Sequence, residues 1–277
     1  MKTLQVISLL FVLALACSCS SKDDGNMEEP PVAEHIYQLK AIIADKQSLH
    51  FTYNHLGQVI HSEEEDALSG NRRYSVQRDY SYNLAKGRIF CRSIYHREGE
   101  WGDNNSELDY RDTLFLDKQQ RVDSIHRHLI ADDHTHQWFA LWYKYDDEGQ
   151  LTDLSMKTKP QGTKTWSKWQ AQGTLVWQDG CILKYVPTVG QPSISYTYTN
   201  MSNDFYIDAR SNIVWADWIP LLQWFGKRPL YLQKSREENG TLNNFSYQYH
   251  EDRIVSETTE SIIGNRTEIG VLNLVWE

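Results

Sequence analysis

The segment Tyr143-Lys144-Tyr145-Asp146-Asp147-Glu148-Gly149-Gln150-Leu151 decides the fold, because its pattern recurs along the chain. Two aromatic residues that flank one polar residue have the period of two expected of a β-strand with one buried face. An Asp or Asn followed by Gly then supplies the positive φ angle of a tight reversal, and an aliphatic residue opens the next strand. The segment therefore predicts a β-hairpin.

Other copies of this pattern begin at Phe51, Tyr80, Leu114, Leu175 and Tyr247. The first five copies in chain order begin 29, 34, 29 and 32 residues apart, which indicates a degenerate internal repeat. Roughly a dozen strands are too many for a flat open sheet. We therefore expect a mainly β protein, with a rolled or barrel-like antiparallel sheet of repeated β-hairpins.

The period changes in one stretch, at about residues 211–226. Apolar residues there recur at intervals of three and four, which is typical of a helix; they are Ile213, Val214, Trp218, Leu221, Leu222 and Phe225. Pro220 lies inside the stretch, so we expect a kinked helix or two shorter turns. We interpret this short helical insertion as an apolar plug over one opening of the sheet; the alternative is an element that gates a ligand.

The composition excludes one class of partner. The chain has 277 residues, a formal net charge of -9 and 34 aromatic residues, and its Lys and Arg residues are scattered. Since no basic stripe is present to neutralise phosphates, we expect no nucleic-acid partner. The sequence also indicates no cofactor.

The N-terminal sequence predicts where the protein is located in the cell. A basic residue, an apolar run and small residues make residues 1–18 a signal peptide, and the run is too short for a transmembrane helix. Its end resembles the lipobox of bacterial lipoproteins, with Cys19, or alternatively Cys17, as the lipidated residue. Residues 20–24 resemble the acidic surface-export tag of Bacteroidota lipoproteins.

We expect an acidic flexible tether over 19–34, a single β domain over 35–277, and a lipid anchor that holds the protein at the outer membrane, facing the cell surface. Cleavage to a free secreted protein is the alternative.

The hairpin units resemble those of a Bacteroidota lipoprotein family defined only as a domain of unknown function with a porin-like antiparallel β fold. The segment from Trp224 through Gly226-Lys227 to Leu230 is similar to that family's Gly-Lys motif before a leucine. The resemblance covers about residues 45–277. It implies a fold and a location, and it brings no catalytic residues.

A barrel that spans the membrane is an alternative to a sheet held at the membrane surface. Spanning strands carry an uninterrupted apolar face toward lipid. In the predicted strand from Tyr74 to Tyr82, Arg78 interrupts the only apolar face. We therefore favour the surface-held sheet.

Four histidines within eleven residues are the best metal candidates; they are His126, His128, His134 and His136. A His-x-His pair on a strand points both imidazoles to one face, and a hairpin tip at 131–135 would let two such pairs face each other. The alternative is a solvated polar reversal.

No catalytic signature is present, so we expect no enzyme. The sequence has no Gly-x-Ser-x-Gly elbow, and Cys91 and Cys181 lack the His and Asn order of a cysteine nucleophile. These two cysteines are interpreted either as a disulfide or as buried free thiols. The carboxylates at 63–66 are interpreted as a solvated loop, rather than as part of a glycosidase pair.

Trp166 and Trp169 lie in a segment that is short of other apolar residues, so we predict that both are exposed. Exposed indoles stack on sugar rings or peptides. The sequence thus indicates a non-catalytic surface protein that binds a glycan or an envelope protein. The alternative is a structural or assembly component of the outer membrane with no small-molecule ligand.

Overall fold

A computed structural model describes residues 38–45, 47–66, 73–98, 106–131, 134–188, 190–203, 208–212, 216–251 and 253–276. In these ranges sixteen strands form one closed antiparallel barrel, as the hairpin pattern predicts. The strands are Leu39–Ile43 (β1), Gln47–Tyr53 (β2), Val59–Asp66 (β3), Arg73–Asn83 (β4), Arg88–Glu98 (β5), Ser106–Leu116 (β6), Val122–Ala131 (β7), His136–Tyr145 (β8), Leu151–Pro160 (β9), Gln170–Gln178 (β10), Cys181–Pro187 (β11), Ile194–Ser202 (β12), Tyr231–Glu238 (β13), Thr241–His250 (β14), Arg253–Ile263 (β15) and Arg266–Trp276 (β16). The predicted signal peptide, both candidate lipidation cysteines and the tether lie outside the described residues.

Each strand pairs with its neighbours in sequence, and β1 pairs with β16 to close the barrel. At this seam Ile42 lies opposite Leu274, and Ile43 lies opposite Asn273. Within the described ranges, no helix has both the length and the apolar composition needed to cross a membrane.

Three of the quoted turn segments share one hydrogen-bond geometry. The Oδ1 atom of Asp146 accepts hydrogen bonds from the backbone N–H groups of Glu148 and Gln150, at 3.0 and 2.9 Å. Asn54 and Asp117 do the same in their own turns. Asn and Asp are favoured there because a short side-chain acceptor satisfies backbone donors within the turn. The end of the barrel that carries these turns is called the short-turn end below.

An aromatic side chain near the C-terminal end of seven even-numbered strands donates a hydrogen bond to a backbone carbonyl near the start of the preceding strand. The pairs, all 2.7 or 2.8 Å long, are Tyr53 to Leu39, Tyr82 to Val59, Tyr145 to Val122, Trp177 to Leu151, Tyr198 to Ile182, Tyr247 to Gln233 and Trp276 to Ile254. We call these seven side chains the aromatic rim. Strand β6 carries Leu116 at the matching position. The rim explains why the second aromatic of the repeated pattern recurs.

The predicted helix at 211–226 is two 3₁₀ segments, Ala209–Asn212 and Ala216–Trp224, with Pro220 inside the second. Proline lacks the N–H that an α-helix interior needs, and its ring clashes with the preceding turn, so the shorter turns are the observed outcome. Trp218, Leu221 and Phe225 are fully buried in the barrel core. We call the described residues of this segment, 208–212 and 216–226, the plug.

One buried ion pair ties the plug to the barrel strands, and a second lies within the plug itself. Arg127 of β7 donates two hydrogen bonds to Asp112 of β6, at 2.8 and 2.6 Å, and Trp218 of the plug donates one to the same carboxylate. Arg210 donates to Asp208 and, at 2.7 Å, to the backbone carbonyl of Gly226. Because these buried charges are paired and hydrogen-bonded, they can lie in an apolar interior.

Arg78 shares the apolar face of β4, as the sequence indicates, whereas the prediction of a solvated loop at 63–66 was wrong. Arg78 lies on the inner face of β4, buried, where it pairs with Glu64 at 2.7 Å. The apolar face of β4 is therefore the barrel interior, and its outer face is polar. The carboxylates at 63–66 belong to β3 rather than to a solvated loop. They are compatible with a strand because Glu64 finds an inward partner, while Glu63 and Glu65 point to the outside.

The two described cysteines, Cys91 and Cys181, are free and buried. Of the two alternatives open from the sequence, the structure therefore has separate thiols rather than a disulfide.

Candidate ligand-binding site on the outer wall

The outer faces of β7, β8 and β9 carry aromatic and basic side chains in register. His128 lies opposite Trp138, and Trp138 lies opposite Lys159. One step nearer the short-turn end, Ala140 separates His126 from Lys157. Alternate residues of these strands point into the core, so the outward set follows from the period of two.

The connection from β9 to β10 folds back along β9 and brings two tryptophans to this face. The Ser167 N–H donates to the Thr158 carbonyl at 2.8 Å, and the Thr158 N–H donates to Ser167 Oγ at 2.9 Å. Trp166 and Trp169, on either side of Ser167, are 37% and 49% exposed. The prediction that both are exposed is confirmed.

Lysine ammonium groups lie over the tryptophan faces. Lys159 Nζ is 4.3 Å from the ring centroid of Trp138 and 5.7 Å from that of Trp166. Lys157 Nζ is 4.5 Å from the ring centroid of Trp169 and 5.1 Å from that of Trp166. These are cation–π distances. We call Trp138, Lys157, Lys159, Trp166 and Trp169 the tryptophan–lysine wall.

Three of the four predicted metal-binding histidines border this wall. His128 stacks on Trp138, with centroids 4.9 Å apart and planes 3° apart, and its Nε2 lies 2.8 Å from Nδ1 of His136. His126 lies between Phe115, at 5.0 Å, and Trp166, at 6.5 Å. The structure thus brings His128 and His136 together, and His126 lies beside them on the same face.

His134 occupies the turn between β7 and β8, with a positive φ of 60°. Among the described residues, no group of three or more His, Cys, Asp and Glu side chains is arranged to hold a metal ion. Metal binding by the four histidines stays a prediction.

The pKa values of two histidines at the wall, His126 and His128, are lowered. Burial lowers the pKa of His126, and the nearby Lys157 lowers it further. Burial also lowers the pKa of His128, with His136, Arg111 and Lys159 acting in the same direction and Asp109 opposing them. Burial disfavours the charged imidazolium because it removes water, and the nearby cations disfavour it by repulsion.

A second basic feature adjoins the wall on the outside of β4, β5 and β6. A groove of about 490 Å³ lies there; its lining includes Asp79, Phe90, Arg92, Arg111 and Thr113. Asp109, next to Arg111, accepts hydrogen bonds from both Arg92 and Arg111, with the shortest at 2.8 Å. Burial opposes ionisation of Asp109, but these arginine contacts prevail and lower its pKa. The basic surface therefore continues from β9 toward β5.

The sequence-based reasoning missed Trp138, Lys157 and Lys159 as members of the site. The signal for the lysines was the alternation Lys157-Thr158-Lys159, which puts two ammonium groups on one face of a strand. Which rings they would meet depends on the pairing of three chain segments, and the local pattern does not contain that information.

No protein-family profile matches the chain, and no curated protein matches it either. Two solved structures are similar to it in fold. A porin-like protein from Bacteroides uniformis ATCC 8492 is 10% identical, with a TM-score of 0.48, over 78% of this chain and 96% of that one. A porin-like protein from Bacteroides vulgatus ATCC 8482 is 10% identical, with a TM-score of 0.41, over 86% of this chain and 98% of that one.

Proposed function

We propose that this chain is a non-catalytic barrel protein of the cell envelope that binds a glycan through the tryptophan–lysine wall. The observation that carries the proposal is the exposure of Trp166 and Trp169, which share Lys157 as a neighbour and lie on a connection that is hydrogen-bonded to β9 through Ser167. Indole rings offer large flat apolar faces to the C–H faces of sugars. A site carried by hydrogen-bonded strands also needs little ordering when a ligand binds.

The interior of the barrel supports binding on the outside rather than passage through the middle. Trp218, Leu221 and Phe225 of the plug are fully buried among core residues of the surrounding strands. A close-packed core leaves few voids larger than a water molecule. We therefore infer that the outer wall, and not the lumen, meets the ligand.

The proposed location rests on the N-terminal sequence. We propose that Cys19, or alternatively Cys17, carries the lipid that anchors the protein at the outer membrane, with the barrel facing the cell surface. Metabolic labelling with an alkyne fatty acid tests this, because Cys19→Ala should abolish labelling while Cys17→Ala retains it. Surface exposure is tested by protease treatment of intact cells.

Glycan binding is tested with the purified full chain on an array of neutral and acidic glycans. The double substitution of Trp166→Ala and Trp169→Ala should weaken binding at least about tenfold and leave the thermal unfolding midpoint unchanged. Trp142→Ala is the matched control, since Trp142 is an exposed tryptophan on the outer face of β8 that does not belong to the wall. An array without binding, or equal loss in the control, contradicts the proposal.

A second candidate function is assembly with another envelope protein. An exposed aliphatic face lies beside the barrel seam, formed by Ile43, Ile269, Val271 and Val275, of which Ile269 is 71% exposed. Such faces mark interaction sites when they are contiguous. A photo-crosslinking residue in place of Ile269 should capture one defined envelope protein in cells, and the same residue in place of Trp142 should not.

A further inference from the structure

We infer that the tryptophan–lysine wall selects acidic glycans, in which carboxylate groups alternate with sugar rings, over neutral ones. This inference rests on the proposed glycan-binding function and names the ligand class of the same site. It is carried by the position of the lysines between the rings.

The two lysines of the wall lack carboxylate partners. In the described ranges, neither Lys157 nor Lys159 forms an ion pair, although Lys144 on the same sheet pairs with Asp153 at 3.9 Å. Asp109 of β6 is already paired with Arg92 and Arg111. The chain has a net charge of -9, but the wall is a basic surface whose two ammonium groups have no carboxylate partner in the described ranges.

The wall alternates rings and cations across the strands. One row runs from Trp138 through Lys159 to Trp166, and the next brings Lys157 beside Trp169. Neighbouring strands lie about 4.8 Å apart, so a ring and a cation follow each other at a spacing of one strand. A linear acidic glycan presents the complementary alternation of apolar ring faces and anions.

Charge also decides how a ligand can reach the indole faces. In the free protein, ammonium groups cover those faces, and lysine stems are flexible. A carboxylate can draw an ammonium group away from the ring and pair with it, which uncovers the indole for the sugar. A neutral sugar must displace the same ammonium group without offering it an anion, so it binds more weakly.

The test compares polygalacturonate with its fully methyl-esterified form, which keeps the sugar rings and removes the charge. Binding of the full chain is measured by tryptophan fluorescence at low and high NaCl. We expect the acidic form to bind at least about tenfold more tightly than the ester at low salt, and that advantage to shrink at high salt.

Lysine variants assign the effect to the wall. The double substitution of Lys157→Gln and Lys159→Gln should reduce affinity for polygalacturonate about tenfold and leave affinity for the ester nearly unchanged. The matched control replaces two exposed lysines elsewhere, Lys144→Gln and Lys234→Gln, and should leave both affinities unchanged. Circular dichroism of each variant confirms that the barrel is folded.

The remaining outcomes show whether the acidic selectivity alone, or also the glycan-binding function, is wrong. Equal binding of the two forms, or of a neutral glycan, overturns acidic selectivity and leaves the glycan-binding function standing. Binding of no glycan overturns both. Binding to vesicles of phosphatidylglycerol with no binding to either polygalacturonate form also overturns both, because the wall would then recognise a lipid surface.

Discussion

The indole N–H of Trp218 donates a hydrogen bond to Oδ2 of Asp112 at 2.7 Å, although 106 residues separate them in sequence. The same carboxylate accepts two hydrogen bonds from Arg127. All three side chains are buried. One carboxylate therefore ties two neighbouring strands to the plug, and its loss would leave a buried arginine without its counter-ion.

We predict that Asp112→Ala lowers the free energy of unfolding by about 3–5 kcal/mol, because a buried charge left unpaired is strongly destabilising. Urea denaturation of the full chain, followed by tryptophan fluorescence, measures the loss. Asp79→Ala is the control, since this carboxylate pairs with His61 at 2.8 Å on the surface. An exposed pair contributes at most about 1 kcal/mol. Similar losses in the two variants contradict the anchoring role of Asp112.

Removal of one tyrosine hydroxyl from the aromatic rim should lower the free energy of unfolding by less than Asp112→Ala does. Tyr145→Phe removes the hydrogen bond to the Val122 carbonyl while keeping the ring, so it should lower the free energy of unfolding by about 1 kcal/mol. Tyr249→Phe, at an exposed position of β14, should have almost no effect. Thermal unfolding measures both, and an unchanged midpoint for Tyr145→Phe would argue against the rim as a stabilising element.

A side chain at position 226 should clash with neighbouring atoms, in addition to the cost of the positive φ angle there. Gly226 and Gly240 have nearly equal φ angles of 74° and 75°, but a Cβ at Gly226 would lie 2.5 Å from the Gly149 carbonyl, whereas Gly240 has no heavy atom within 4 Å of that position. Both alanine variants share the cost of a positive φ, about 1 kcal/mol. Gly226→Ala should therefore be the more destabilising in denaturant titrations. Equal losses would show that the plug can shift to make room.

Glu257 predicts a pH dependence of stability. Burial raises the pKa of this carboxyl from 4.5 to about 7. The folded state thus keeps a proton that the unfolded state loses, and stability falls as pH rises from about 4.5 through 7. Glu257→Gln, which stays neutral, should gain about 3 kcal/mol over the wild type at pH 8 and almost nothing at pH 4. A gain of the same size at both pH values would contradict the shifted pKa.

Ligand affinity at the wall should also depend on pH. The pKa values of His126 and His128 are lowered, so both imidazoles are neutral at pH 7 and become charged only below their ordinary range. Added positive charge beside Lys157 and Lys159 should strengthen polygalacturonate binding as pH falls below the ordinary histidine pKa of 6.5. Isotherms across this range measure the effect, with the methyl ester as the control. His126→Gln combined with His128→Gln should flatten the profile.

The sequence was most informative where structure is local. Asp146 and Gly149 specify a turn by their own chemistry, so the hairpins and the antiparallel sheet were predictable. Tyr198 and Trp276 also belong to the aromatic rim but escaped notice, because no Asp-x-x-Gly turn follows them. The copy that begins at Tyr247 was misaligned by two residues, since Tyr247, and not Tyr249, makes the rim hydrogen bond.

Features that depend on pairing between distant segments were harder to predict. An inward Arg78 is stabilised by Glu64 of the preceding strand, which lies opposite Val76. The wall likewise needs β8, β9 and the following connection in one register before Lys159 can meet two indoles. The local sequence indicated that Trp166 and Trp169 are exposed. It did not indicate that lysine ammonium groups lie over their rings, because those contacts form between different chain segments.

The seam between β1 and β16 places a constraint on how the chain acquires its fold. Strand β1 can complete its pairing only after the last strand has formed, so until residues 266–276 arrive β1 and β15 remain open edges of the sheet. Pairings of such long sequence separation form slowly, and open edges recruit other chains. Loss of the final strand should therefore yield an aggregating sheet rather than a smaller barrel. Assembly of this molecule is complete only when its two most distant strands meet.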